Sequence, residues 1–134
     1  MSYWQEHLAS MNATPLELAP PSVAQEGIGE VWHTINVSGT AKLEQFARQQ
    51  GLTPASVLQG LYILLLTRMS RLSELTIGSV RNGRNSLLPG IDRAIGLFIG
   101  TLPLRTEINP SLPLNQWLRA QQIAQAEQEA HAHL

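Results

Sequence analysis

Ile95-Gly96-Leu97-Phe98-Ile99-Gly100-Thr101-Leu102-Pro103-Leu104-Arg105 is the stretch on which the fold turns. It reads as an extended segment running from about Phe98 to Ile108, and Asn109-Pro110 breaks it. Alternation puts Phe98, Gly100 and Leu102 on one face and Thr101 and Pro103 on the other. Pro103 removes a ladder donor, which argues for an edge, a bulge or a crossover at that point. Arg105 closes an apolar strand, a place for a guanidinium that ties down backbone carbonyls.

Upstream, Leu75 to Val80 reads as a second strand, and Arg81 to Asp92 as a Gly- and Asn-rich loop. Ile28 to Val37 reads as a further strand, with Val31, His33, Ile35 and Val37 facing one way. Helical periodicity fills the rest. Residues 3–11 form a short helix with Trp4, Leu8 and Met11 on one face, and a Pro- and Ala-rich linker follows from Thr14 to Gly29. Ser38-Gly39-Thr40 supplies capping chemistry for a helix with Leu43, Phe46 and Ala47 inward, ended by Gly51. Thr53 and Pro54 cap and start a helix to about Met69, apolar all round at its middle and so expected to be buried on most sides. The last helix starts near Pro113 with Leu114, Trp117 and Leu118 inward. The order predicts a mixed α/β (α+β) layer with about three strands, a thin and incomplete sheet whose two edges want partners.

Composition narrows the function classes. The chain has 134 residues, 43% hydrophobic and 14% charged, which suits one globular domain. Nine basic and ten acidic residues lie in no blocks of either sign, so nothing marks a nucleic-acid or anionic-membrane partner. The absence of cysteine excludes disulfides, thiolate metal sites and a cysteine nucleophile, and fits a cytoplasmic protein. Leu61 to Leu66 is the longest apolar block, far short of the ~20 residues that span a bilayer, and the start lacks a signal peptide's features. There is no His-Glu-x-x-His run and no Gly-x-Ser-x-Gly elbow. His33 reads as a hydrogen-bonded core residue, and His131 and His133, two apart, fall on different sides of a helix and make a poor metal pair.

The opening stretch closely resembles the fifth core motif of nonribosomal peptide synthetase condensation domains, I/V-G-x-F-V-N-T-x-x-x-R. Other segments resemble the same family in the same order. They are Tyr3-Trp4-Gln5 with Leu8; Leu52-Thr53-Pro54 and the helix ending Leu65-Leu66-Thr67-Arg68; Leu75 to Val80 followed by Gly83-Arg84; and Trp117-Leu118 with His131-Ala132-His133. Where many members carry Asn, this chain has Gly100, which cannot make a side-chain hydrogen bond.

The resemblance implies a chloramphenicol-acetyltransferase-like fold of two subdomains, with a tunnel between them. Phosphopantetheine arms of donor and acceptor carrier proteins enter that tunnel, and no cofactor is bound covalently. It implies residues 1–13 as the junction helix, 14–29 as a linker and 30–134 as the opening part of the C-terminal subdomain. The family's HHxxxDG signature occurs nowhere in this sequence. No catalytic residue and no metal ligand is therefore assigned, and the chain alone is expected to be inactive. Gly78, Gly83, Arg84, Gly96, Phe98, Gly100, Thr101, Pro103 and Arg105 are the tunnel or structural-motif residues.

For Gly78, Gly83 and Gly96 two readings stand, turn geometry at positive φ or close approach to a pantetheine arm. For Arg84 and Arg105 the pair is loop-tethering or contact with a phosphate or acidic carrier surface. The implied function of the whole is amide-bond formation between carrier-bound aminoacyl or peptidyl groups. Carrier-protein domains and the first subdomain would be the partners. The competing reading is a non-catalytic docking module for a carrier protein or a neighbouring synthetase domain. The sibling epimerization and cyclization domains share the same fold.

Overall fold

Asn36 sets the first long helix. Its backbone is extended (φ −71°, ψ 168°) and its Oδ1 accepts from the Gly39 amide at 2.8 Å, satisfying one of the orphan N–H groups of the first turn. Helix α2 then runs Val37–Gln50 and stops at Gly51, whose left-handed φ of 66° lets its amide reach back to the last carbonyls. Thr53 Oγ1 accepts from the Ser56 amide at 3.0 Å, and Pro54 opens α3, Pro54–Ser70. The computed structural model describes residues 3–11, 29–85, 89–91 and 93–132. Its other elements are helix α1 (Tyr3–Leu8), strands β1 (Glu74–Asn82) and β2 (Ile99–Glu107), a single 3₁₀ turn (Gly83–Asn85), and helix α4 (Leu114–Ala130).

β1 and β2 form an antiparallel pair in the register Leu75↔Thr106, Ile77↔Leu104, Ser79↔Leu102 and Arg81↔Gly100. These residues point to one face, which α3 and α4 cover. Gln59 Nε2 donates to Ser79 Oγ at 2.9 Å, Thr106 Oγ1 to Gln121 Oε1 at 2.8 Å, and Arg81 pairs with Glu129 at 3.0 Å. Gln125 Nε2 donates to Gln59 Oε1 at 2.7 Å, which joins the two helices. Below this polar seam lies the core: Ala47, Leu52, Val57, Ile63, Leu66, Leu75, Leu104, Trp117 and Leu118. Fully burying a leucine contributes about 1.5–3 kcal/mol. Gly60 allows α3 and α4 to close, because a Cβ there would lie 2.2 Å from Leu118 Cδ2.

The mixed α/β class is as the sequence predicts, and several details differ. Glu30 to Asn36 form no strand, Val37 already lies in α2, and Ile28 lies outside the described residues. The sheet therefore has two strands among the described residues rather than about three. An alternating segment becomes a strand only where a neighbour completes its ladder, and Val31 and Trp32 stand in solvent. His33 is likewise exposed, not a core residue.

The first long helix is capped by Asn36 ahead of Ser38-Gly39-Thr40. Arg81 and Asn82 extend β1 into the stretch expected to be loop. Leu114 is exposed, because it sits at the free start of α4. α3 buries one side only, and Leu58, Leu61, Tyr62, Leu65 and Met69 face outward. The linker over 14–28 and His133 lie outside the described residues. No single helix among the described residues is long and apolar enough to cross a membrane.

Candidate functional site

The corner where β1 leaves and β2 enters is built from the motif residues. Beyond the last ladder pair, Asn82↔Ile99, the Gly83 amide donates to the Phe98 carbonyl at 2.8 Å. A Cβ on Gly83 would stand 2.3 Å from that oxygen, so glycine is required by close backbone approach. Gly78, Gly83 and Gly96 all lack positive φ; among the described glycines only Gly51 and Gly90 have it. The turn-geometry reading of those three is therefore corrected to one of space.

Arg84 follows Gly83 and folds back over the loop. Its Nη1 donates to the Ile91 and Ala94 carbonyls, each at 2.8 Å, and its guanidinium carbon lies 4.3 Å from the Phe98 ring centroid. Gly96 leaves room beneath the same ring, since a Cβ there would meet Phe98 Cε2 at 3.3 Å. Val80, Arg81, Asn82, Arg84, Gly96, Leu97, Phe98 and Ile99 line a shallow groove of about 430 Å³ at this corner. Its rim is apolar and unpartnered: Ile95 is fully exposed, Leu97 88% and Ile99 64% exposed.

The other motif residues lie elsewhere. Gly78, Thr101, Pro103 and Arg105 occupy the hairpin face turned away from α3 and α4, and a Cβ on Gly78 would touch Thr101 Cγ2 at 3.0 Å. Gly100 sits on the helix-covered face in open space. Pro103 costs the hairpin little, since among the described residues both strands are edges. Arg105 lies five residues beyond Gly100, about 17 Å along the strand.

Arg105 Nε donates to the Glu74 carboxylate, and its Nη1 donates to the His7 carbonyl of α1 at 2.9 Å. The hydrogen bond from Arg105 holds the Glu74 carboxyl below its ordinary value, desolvation opposes this, and the guanidinium charge adds to the lowering. The same pair raises Arg105. Of the nine residues, Gly83, Arg84, Gly96 and Phe98 thus make the corner, Arg105 a distant tether, and Gly78, Gly100, Thr101 and Pro103 lie along the hairpin between them.

One cluster brings together Tyr3 and His131, from two of the resembling segments, with His7, a juxtaposition the sequence does not show. The Tyr3 ring is stacked between the His131 ring (centroids 4.0 Å apart, 8°) and the His7 ring (5.3 Å, 12°). Burial, then the Glu127 carboxylate, pushes the Tyr3 hydroxyl up. Rings drawn from opposite ends of the chain leave no spacing to read. Among the described residues, no group of three or more His, Asp or Glu side chains is arranged to hold a metal.

Comparison with known proteins places this geometry. The condensation-domain family profile matches residues 1–134. The chain is 33% identical over 131 residues to a linear gramicidin synthase of Brevibacillus parabrevis, covering 94% of this chain and 3% of that protein. It is 32% identical over 138 residues to chondramide synthase cmdD of Chondromyces crocatus, covering 98% of this chain and 3% of that protein. The fold is similar to the solved condensation domain of the Monacolin K polyketide synthase MokA, with a TM-score of 0.73 and 19% identity. That match covers 98% of this chain and 32% of the solved one. The chain thus spans a few per cent of these synthases and about a third of a solved domain. By this match along its length, the chain belongs to the condensation-domain family.

Proposed function

We propose that these residues form the opening part of the second subdomain of a condensation domain in a cytoplasmic nonribosomal peptide synthetase. There they supply scaffold and one wall of the tunnel that takes the phosphopantetheine arms of two carrier proteins. The observation that carries this reading is a contrast at the corner. Its backbone frame is fixed by Gly83, Arg84 and Phe98, while Ile95, Leu97 and Ile99 stand in solvent. A rigid corner with an uncovered apolar rim is suited to meeting a second body.

In the reaction of the whole, the acceptor amine attacks the donor thioester carbonyl. The C–N bond forms, the C–S bond breaks, and the proton lost by the amine ends on the departing carrier thiol. General-base help from a histidine is worth roughly 10²–10⁴-fold. That histidine belongs to HHxxxDG of the first subdomain, a run this sequence does not contain. What these residues add is placement of the two tethered groups, a contribution through orientation.

The test is reconstitution. Residues 1–134 are combined with the histidine-bearing first subdomain and the remainder of the domain, donor and acceptor carriers are loaded, and the dipeptidyl carrier is followed by mass spectrometry. Product from the assembled domain and none from this chain alone is the expected result. Product from the chain alone, or none from an assembled domain that binds both carriers, contradicts the proposal.

A further inference from the structure

Helix α1 is fastened differently from the rest of the molecule. It is six residues long with no buried residue, and helices that short are marginal in water without tertiary help. None of the core residues, and none of the apolar residues packed directly on them, belongs to α1. Rings and hydrogen bonds hold it instead. Tyr3 is sandwiched between His7 and His131, Trp4 Nε1 donates to the His131 carbonyl at 2.9 Å, and His7 Nε2 lies 3.3 Å from Gln128 Nε2. His131 is itself fixed, its Nδ1 lying 2.9 Å from the Glu127 carbonyl. Arg105 adds a further tie, from the end of the motif strand to the His7 carbonyl.

We infer that α1 is a releasable strap: it docks and undocks on the end of α4 without disturbing the core, and Arg105 couples its docking to strand β2. The sandwich makes this physically reasonable. Losing it gives up ring contacts and a few hydrogen bonds, but no side chain leaves the hydrophobic core. Elements fastened in this way open below the free energy of global unfolding. Because one guanidinium serves both Glu74 and His7, release of α1 also removes a tie from the β1–β2 hairpin at its Arg105 end. The inference is independent of whether the domain condenses acyl groups.

The test is hydrogen exchange followed by mass spectrometry on the native polypeptide that contains these residues. Peptides covering 3–11, 99–107 and 54–70 are compared in the wild type, Tyr3→Ala, His131→Phe and Arg105→Gln. In the wild type, 3–11 exchanges faster than 54–70. Loss of both ring stacks in Tyr3→Ala speeds exchange in 3–11 by about tenfold and in 99–107 measurably, with 54–70 unchanged. Arg105→Gln speeds 3–11 as well, and His131→Phe, which keeps a ring against Tyr3, retains most of the protection. If 3–11 and 54–70 exchange together, or if Tyr3→Ala deprotects 54–70, α1 is part of the core and the inference fails. Unchanged exchange in 3–11 in Tyr3→Ala would also overturn it.

Discussion

A methyl group on Gly83 would press against the Phe98 carbonyl oxygen at 2.3 Å, while one on Gly100 would meet nothing within 4 Å. The two glycines lie in the same hairpin region, so alanine at each is a matched experiment. Gly83→Ala is expected to cost about 1–3 kcal/mol, the range for forced overpacking, and Gly100→Ala to stay within about 0.5 kcal/mol. Urea unfolding of the two variants checks this. At Glu74 the prediction concerns pH. Its carboxyl is held below the ordinary value of 4.5, first by the Arg105 hydrogen bond. A depressed folded value means that the stabilisation is fully present above the unfolded pKa and is lost as pH falls through the folded one. Glu74→Gln should therefore lower Tm slightly at neutral pH and converge with the wild type once both are measured well below pH 4.5, a comparison thermal melts can make. Both arginines show what sequence conveys at this scale. Arg84 and Arg105 are legible as motif members, but two of Arg84's partners and one of Arg105's are backbone carbonyls, which carry no residue-type signature.

At the scale of elements, legibility follows whether the signal is local. The start and stop of α2 and the start of α3 rest on Asn36, Gly51, Thr53 and Pro54, all acting within a few residues, and helical periodicity finds both helices. β1 and β2 are readable because each carries an alternating pattern and the two pair with each other. The alternation over 28–37 is equally clear, yet residues 30–36 form no strand, since a ladder needs a second strand that no local pattern supplies. α3 makes the same point on its surface. Its apolar middle predicts burial on most sides, yet Leu58, Leu61, Tyr62, Leu65 and Met69 form an outward stripe at helical spacing. Residues 1–134 alone are expected to self-associate through this exposed stripe, and the double variant Leu61→Gln, Leu65→Gln should reduce that in sedimentation experiments. Each site should lose no more than about 0.5 kcal/mol of stability there. In an intact condensation domain the same pair should destabilise by about 1.5–3 kcal/mol per leucine, because there the stripe is expected to be covered.

At the scale of the molecule, the described residues combine a small closed core with open surfaces in three places. The extended segment around Trp32, the outer stripe of α3 and the rim formed by Ile95, Leu97 and Ile99 all expose large apolar side chains. Among the described residues the two-stranded sheet has two free edges, which adds unpaired backbone groups. Such surfaces are costly for a body that stands alone and ordinary for one that is part of a larger domain. The intact mass of the native polypeptide in its producing cell, with peptide mapping upstream of Tyr3, tests this most directly. A large chain with HHxxxDG shortly before Tyr3 is the predicted result. A native mass near 14.7 kDa would contradict it, leaving a chain that cannot condense acyl groups and a surface whose partner must be another protein.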